Sequence, residues 1–328
     1  MAATDAVGSL PVVVLMAVDG CNCRCVMCEH WRGRPRTVPL DQVRSWIGSW
    51  LRLGVRRVAL SGGEPLLHPQ LPELLDLLAG AGFALTTITN GLLLGDAAAA
   101  VGSACDSVVV SLDGPEPVHD TIRGVDGAYR QLAIGIEAVR RANPSAIITA
   151  RCTVQHGNHR ELRAVVRCAR ELGADTVSFL AVDSSSTAFQ RRRRVGPPGL
   201  DGDGVQALGA EVERLIHDHR DDIDSGFIAE SAAKLRQRIG QRFAARLGLA
   251  PEPVVRCNAP WVSAVVGVGG TVQPCFFHPA YQQVADDLDA VVNAPDAIAF
   301  RRRLDVSTDA VCRRCVCPLH LRPGEDPR

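Results

Sequence analysis

The sequence predicts an α/β fold: a partial, TIM-like (β/α)6 barrel followed by a small cysteine-rich C-terminal segment. Three observations lead there. From residue 11 to residue 181, short β-branched runs alternate with longer amphipathic segments, the pattern of parallel strands joined by crossover helices. Six such units are too few to close an eight-unit barrel, so an open, curved sheet is expected, with functional loops at the C-terminal strand ends. Finally, nine of the twelve cysteines fall in two groups, one behind the first strand and one in the last quarter of the chain.

Taken in order, PVVVLMAV (11–18), RRVALS (56–61), FALTTIT (83–89), SVVVSLD (107–113), AIITARCTV (146–154) and TVSFLAV (176–182) are the six strands. DQVRSWIGSWLRLG, LPELLDLLAGAG, AYRQLAIGIEAVRRA and HRELRAVVRCARELG read as helices between them, several ending at Gly or Asn, as helix C-termini commonly do. The polar, Gly/Pro-rich stretch 184–204 is a loop leaving the sixth strand. VQALGAEVERLIHDHR and ESAAKLRQRIGQRFAARLG are two helices bridging to the cysteine-rich end. There, WVSAVVGVGGTVQPCFF has the form of a hairpin turning at Gly269 and Gly270. The expected division is a barrel core (1–200), a helical bridge (201–250) and a cysteine-rich domain (251–328).

With 328 residues, 46% of them apolar, the chain can bury one large core and an appendage. No apolar run approaches the roughly 20 residues that span a bilayer. MAATDAVGSL lacks the basic-then-apolar order of a secretory signal, so a cytoplasmic protein without membrane association is expected. A formal net charge of zero argues against bulk attraction to nucleic acid. Cytoplasmic thiols stay reduced, so twelve cysteines, nine of them in two groups, point to metal rather than disulfides. Cys105, Cys152 and Cys168, scattered through the middle, read as small buried hydrophobes. Arg191 to Arg194 form a charge run read as a solvated loop, with an anion clamp as the alternative. Arg151, alone in an apolar strand, needs a buried partner or a site to face, and is a candidate catalytic residue.

In CNCRCVMC (21–28), Cys21, Cys25 and Cys28 give Cys-x3-Cys-x2-Cys, three thiolates on one short loop at a strand end. Structural zinc sites close with four ligands, and electron-transfer clusters take four cysteines. Three thiolates leave a position open, which suits a [4Fe–4S] cluster whose remaining iron meets a small molecule. Cys23 is out of register and reads as a loop residue. SGGEPLLHP (61–69) follows the second strand; its glycines let the backbone approach a ligand and its glutamate complements an ammonium. Together, the cysteine loop and Gly62-Gly63-Glu64-Pro65 at successive strand ends resemble the radical S-adenosylmethionine superfamily.

That resemblance implies a [4Fe–4S] cluster on Cys21, Cys25 and Cys28, with S-adenosylmethionine held by Gly62, Gly63, Glu64 and Pro65. It further implies contacts from Asn90 in TNG, from Ser111 and Asp113 in SLDG, and from Met27 against the adenine. Turn-forming or capping roles are the alternative for the polar residues. It also implies hydrogen-atom abstraction from an unactivated carbon by a 5′-deoxyadenosyl radical in a dry cavity, and an electron donor such as flavodoxin or ferredoxin.

Cys257, Cys275, Cys312 and Cys315 resemble the ligands of the superfamily's C-terminal auxiliary-cluster domains, the shorter twitch type rather than the full SPASM type. They imply a second [4Fe–4S] cluster, with structural zinc as the alternative, because all-cysteine tetrahedral sets also suit zinc. Cys317 is left over and is a candidate hydrogen donor, with an inert buried cysteine or a further cluster ligand as the alternatives. His278 reads as a satisfied histidine near that site. The first cysteine loop begins at residue 21, which leans against a leader-binding domain and against a cobalamin domain ahead of the barrel. The expected substrate is a small hydroxylated molecule, a sugar, aminoglycoside or oligosaccharide, in natural-product tailoring. The expected reaction is epimerisation at a carbinol carbon. The alternatives are two-electron dehydrogenation, modification of a ribosomally made peptide or, outside the enzymes, an iron–sulfur electron carrier.

Overall fold

β-branched residues build the central sheet of the computed structural model, which describes residues 5–33, 35–183, 186, 188–189, 199–281, 287–322 and 324–325. The strands are β1 (Val12–Val18), β2 (Arg57–Gly62), β3 (Ala84–Thr89), β4 (Ser107–Ser111), β5 (Ile147–Val154), β6 (Thr176–Ala181), β7 (Ser263–Val266) and β8 (Val272–Gln273). They form one sheet in the order β6-β5-β4-β3-β2-β1-β7-β8. All neighbours run parallel except the β7–β8 hairpin, which turns through the positive-φ glycines Gly269 and Gly270.

The crossover helices are α1 (Leu40–Arg52), α2 (Leu71–Gly80), α3 (Leu94–Ala104), α4 (Glu116–Arg123), α5 (Ala128–Ala142) and α6 (Leu162–Glu171), followed by α7 (Gly202–Asp218). Helix α1 buries Val43, Trp46 and Trp50, spaced three and four residues apart on one face, with the two indoles stacked 6.1 Å between centroids. Full burial of such side chains contributes about 1.5–3 kcal/mol each. Among the crossovers, two helices go beyond the expected set, α3 after the third strand and α4 after SLDG, and short helices such as Leu288–Val292 and Pro295–Arg303 add to it near the C-terminus. The second bridging helix is not continuous: Ala232–Leu235 passes through a wider π-turn, Arg236–Gln241, into Arg242–Arg246. No helix among the described residues is long and apolar enough to cross a membrane.

The sheet also extends further than six strands. Val12 to Leu15 of β1 pair in register with Ser263 to Val266 of β7, so the C-terminal hairpin continues the barrel sheet at its β1 edge. That pairing carries the second cysteine group toward the same face as the first. Arg191 to Arg194 lie outside the described residues.

Candidate active site

The loop behind β1 is clamped from two sides. Gly63 N–H donates to Val18 O at 2.8 Å and Glu64 N–H to Gly20 O at 2.9 Å, which joins the Gly-Gly-Glu turn to the cysteine loop. A Cβ at Gly62 would stand 2.0 Å from Val18 O, and one at Gly63 2.1 Å from Gly20 O, so both glycines are required by close approach. From the other side, Arg24 N–H donates to Arg123 O at 3.0 Å and Val26 N–H to Ile122 O at 3.1 Å, which fixes the loop to the end of α4.

All twelve cysteines are free thiols. Cys21, Cys25 and Cys28 line a cavity of about 470 Å³ at the C-terminal ends of the strands. Cys25 is held down to about 7, first by the hydrogen bond from Cys23 and then by the Arg123 guanidinium, against burial. Cys21 is lowered by the same Cys23 contact, whereas burial pushes Cys28 up to about 12. Cys23 is buried between the two thiols it assists. Three free thiols converging on one cavity, two of them biased toward thiolate, fit an iron–sulfur cluster by the chemistry of the donor set.

Glu64 reaches the cavity wall but spends its carboxylate internally. It accepts from Thr89 Oγ1 and Asn90 N, both at 2.7 Å, and from Leu66 N at 3.1 Å, and is only 1% exposed. Burial raises its carboxyl to about 7 against those three hydrogen bonds. Asn90 in turn donates to Asn22 Oδ1 at 2.7 Å and to Cys21 Sγ at 3.6 Å, so the ends of β2 and β3 and the cysteine loop form one network.

Met27, Gly62, Gly63, Asn90, Ser111 and Arg151 also line the cavity. Ser111 and Arg151 are register partners on β4 and β5, and Arg151 Nε donates to Ser178 Oγ at 3.1 Å. Pro65 is buried in the turn away from the cavity. Asp113 also departs from the expectation of a cofactor contact. Its side chain is fully buried, ion-paired to Arg123 at 2.7 Å and accepting from Thr153 N at 2.9 Å, and it does not reach the cavity.

The cysteines of the last quarter come to the same cavity: Cys257, Cys275, Cys312, Cys315 and Cys317 all line it. Cys257, Cys275 and Cys315 stand close enough for their charges to act on one another, and Cys257 and Cys275 act likewise on Cys312. Cys317 lines the cavity with its thiol pushed up first by its hydrogen bond to Cys315 and then by burial, while the charge of Arg151 acts the other way. His278 is buried, with Nε2 3.5 Å from Cys312 Sγ and 3.6 Å from Asp309 Oδ1, its ring edge-on to Phe300.

Sequence reasoning missed Arg123, His119 and Gln155. Arg123 Nη1 lies 3.9 Å from Cys25 Sγ, His119 Nδ1 accepts from Asp113 N, and Gln155 Nε2 lies 3.7 Å from Met27 Sδ. A signal for the first two was present: in HDTIR (119–123), three residues beyond SLDGP, a histidine and an arginine occupy the buried face of a short helix.

Such a sheet, with an open-ended trio of cysteines after the first strand and a Gly-Gly-Glu turn after the second, defines a class. The profile of the radical SAM superfamily matches residues 16–179, half of the chain, and the chain belongs to that superfamily. An AdoMet-dependent heme synthase of Methanosarcina barkeri is 31% identical over 211 residues, 60% of this chain and 54% of that protein. A PqqA peptide cyclase of Ruegeria pomeroyi is 29% identical over 266 residues, 78% of this chain and 64% of that protein. Among solved structures, Streptococcus suis SuiB bound to S-adenosylmethionine superposes with a TM-score of 0.66 at 16% identity, covering 95% of this chain and 73% of that one. The chain spans about half the length of the first curated relatives it matches. The fold is accordingly the partial TIM-like barrel of radical SAM enzymes, and membership implies S-adenosylmethionine and a [4Fe–4S] cluster as cofactors.

Proposed function

We propose that this chain carries two clusters on one cavity and epimerises a carbinol carbon of a small hydroxylated substrate, a sugar, aminoglycoside or oligosaccharide, in cytoplasmic natural-product tailoring. The observation that carries this reading is Cys317, a thiol outside both ligand sets that opens onto the cavity lined by Cys21, Cys25 and Cys28.

Cys21, Cys25 and Cys28 would hold a [4Fe–4S] cluster, which together with bound S-adenosylmethionine would supply the one-electron chemistry for hydrogen-atom abstraction from substrate. The chain's own residues do the rest. Gly62 and Gly63 let the backbone approach the methionine, Glu64 offers a carboxylate to its ammonium, and Met27, Asn90 and Ser111 face the nucleoside. Arg151 presents a cation to substrate or cofactor carboxylate; no carboxylate stands within salt-bridge distance of it among the described residues. Cys257, Cys275, Cys312 and Cys315 would hold the second cluster. Cys317 returns a hydrogen atom to the opposite face of the carbon radical. The sulfur radical left behind takes one electron and one proton, the electron coming from a donor such as flavodoxin or ferredoxin.

Turnover in heavy water tests this: one solvent-derived deuterium is expected at the inverted carbon. Cys317→Ala should abolish inversion while substrate-dependent 5′-deoxyadenosine formation persists. A ketone product without deuterium from the unaltered enzyme would replace epimerisation by dehydrogenation. One observation favours a second reading, modification of a ribosomally made peptide: the PqqA peptide cyclase aligns with 78% of this chain. Acceleration of 5′-deoxyadenosine formation by a precursor peptide, and not by polyhydroxylated sugars, would select it.

A further inference from the structure

Arg123 closes α4 with its guanidinium buried beside the cysteine loop. One nitrogen, Nη2, stands 2.7 Å from Asp113 Oδ2, and Nη1 stands 3.9 Å from Cys25 Sγ. Nε is buried with no hydrogen-bond partner among the described residues. Contact is close along the backbone too: a Cβ at Gly124, whose φ is +64°, would stand 2.6 Å from Arg24 O. Asp113 is immobilised from three directions. Its Oδ1 accepts from Thr153 N at 2.9 Å, its carbonyl accepts from Asn158 Nδ2 at 2.9 Å, and its N–H donates to His119 Nδ1 at 3.2 Å. Burial and the neighbouring guanidinium hold His119 neutral, so it adds no charge of its own.

A buried ion pair is a weak source of stability, because desolvation offsets its attraction. Its position is more informative. A planar guanidinium can direct one N–H edge at a carboxylate and another at a sulfur, which lysine cannot do from one site. Charges held this deep are little screened by salt. We propose that the Arg123–Asp113 pair is a positioning element that sets the reduction potential of the cluster bound through Cys25. The proposal rests on a cluster at Cys21, Cys25 and Cys28. Uptake of one electron makes the cluster more negative, and hydrogen bonds and net charge near the ligand sulfurs tune that step. Arg123 favours the reduced form, and Asp113 offsets it so that the potential stays low enough for the electron to leave again.

The test is a mediator titration, followed by electron paramagnetic resonance, of anaerobically reconstituted full-length protein. The signal followed is the one that added S-adenosylmethionine perturbs. At a fixed applied potential, Asp113→Asn should raise the ratio of reduced to oxidised cluster about tenfold. Arg123→Met should lower it about tenfold, each change equal to about 59 mV for a one-electron couple. Arg123→Lys, which keeps the charge but cannot make both contacts, should fall between the unaltered protein and Arg123→Met. Unmoved potentials, or shifts of the same sign in Asp113→Asn and Arg123→Met, would overturn the proposal. If Arg123→Met alone fails to retain iron, Asp113→Asn decides by the same criterion. Loss of iron from both would assign the pair to folding and overturn it. Absence of any S-adenosylmethionine-sensitive signal in the unaltered protein would instead remove the cluster assignment itself.

Discussion

Glu64 has two demands on one carboxylate. Without ligand, its oxygens are taken by Thr89, Asn90 and Leu66, and burial lifts it from its ordinary 4.5 to about 7. Because the folded value is raised, its contribution to stability is complete below about pH 4.5 and is lost as pH rises through about 7. An incoming ammonium requires the ionised form. Binding of S-adenosylmethionine should therefore strengthen by up to about tenfold per pH unit below 7 and level off above it, with about one proton released at acidic pH. Calorimetry in buffers of different ionisation enthalpy measures both. Glu64→Gln should bind more weakly with a flat profile and nearly unchanged iron, and parallel loss of iron would assign the residue to folding. Cys25→Ala should keep about half the iron and form no 5′-deoxyadenosine; retained formation would contradict its assignment as a ligand. The cysteine trio was legible because ligand spacing is local. The partners of Glu64 and Asp113 were not, since they depend on which strand ends become neighbours: SLDG marks a strand end but does not say that its carboxylate turns inward to Arg123.

At the scale of elements, all six barrel strands were legible from β-branched runs, within a residue or two of their ends. Helices α3 and α4 were not. LGDAAAAVGSA has too little polar contrast to declare a helical face, and its helix is stabilised by close packing on α5. A Cβ at Gly102 would stand 2.7 Å from Ala142 Cβ, and one at Gly135 2.6 Å from Leu94 Cβ. Small residues at that contact are a requirement of fit. Gly135→Val should therefore destabilise the fold by about 1–3 kcal/mol, read as a lower denaturant midpoint at constant m-value. An unchanged midpoint would mean that the two helices separate without cost.

The whole molecule depends on one long-range pairing that the sequence could not reveal. SAVV is too short an apolar run to announce a partner, yet β7 adds to β1 in parallel and carries the second cysteine group to the cavity of the first. If the second cluster accepts an electron during turnover, Cys312→Ala should still make 5′-deoxyadenosine with substrate but give no product. Normal turnover would reduce that cluster to a structural role.

Iron, sulfide and zinc analysis with Mössbauer spectroscopy on the anaerobically reconstituted chain decides whether two iron–sulfur clusters face one cavity. About eight irons and no zinc per chain are expected, falling to about four in either Cys25→Ala or the Cys312→Ala/Cys315→Ala pair. Only Cys25→Ala should lose 5′-deoxyadenosine formation. About four irons together with one zinc, the zinc lost with Cys312 and Cys315, would contradict the assignment of two clusters.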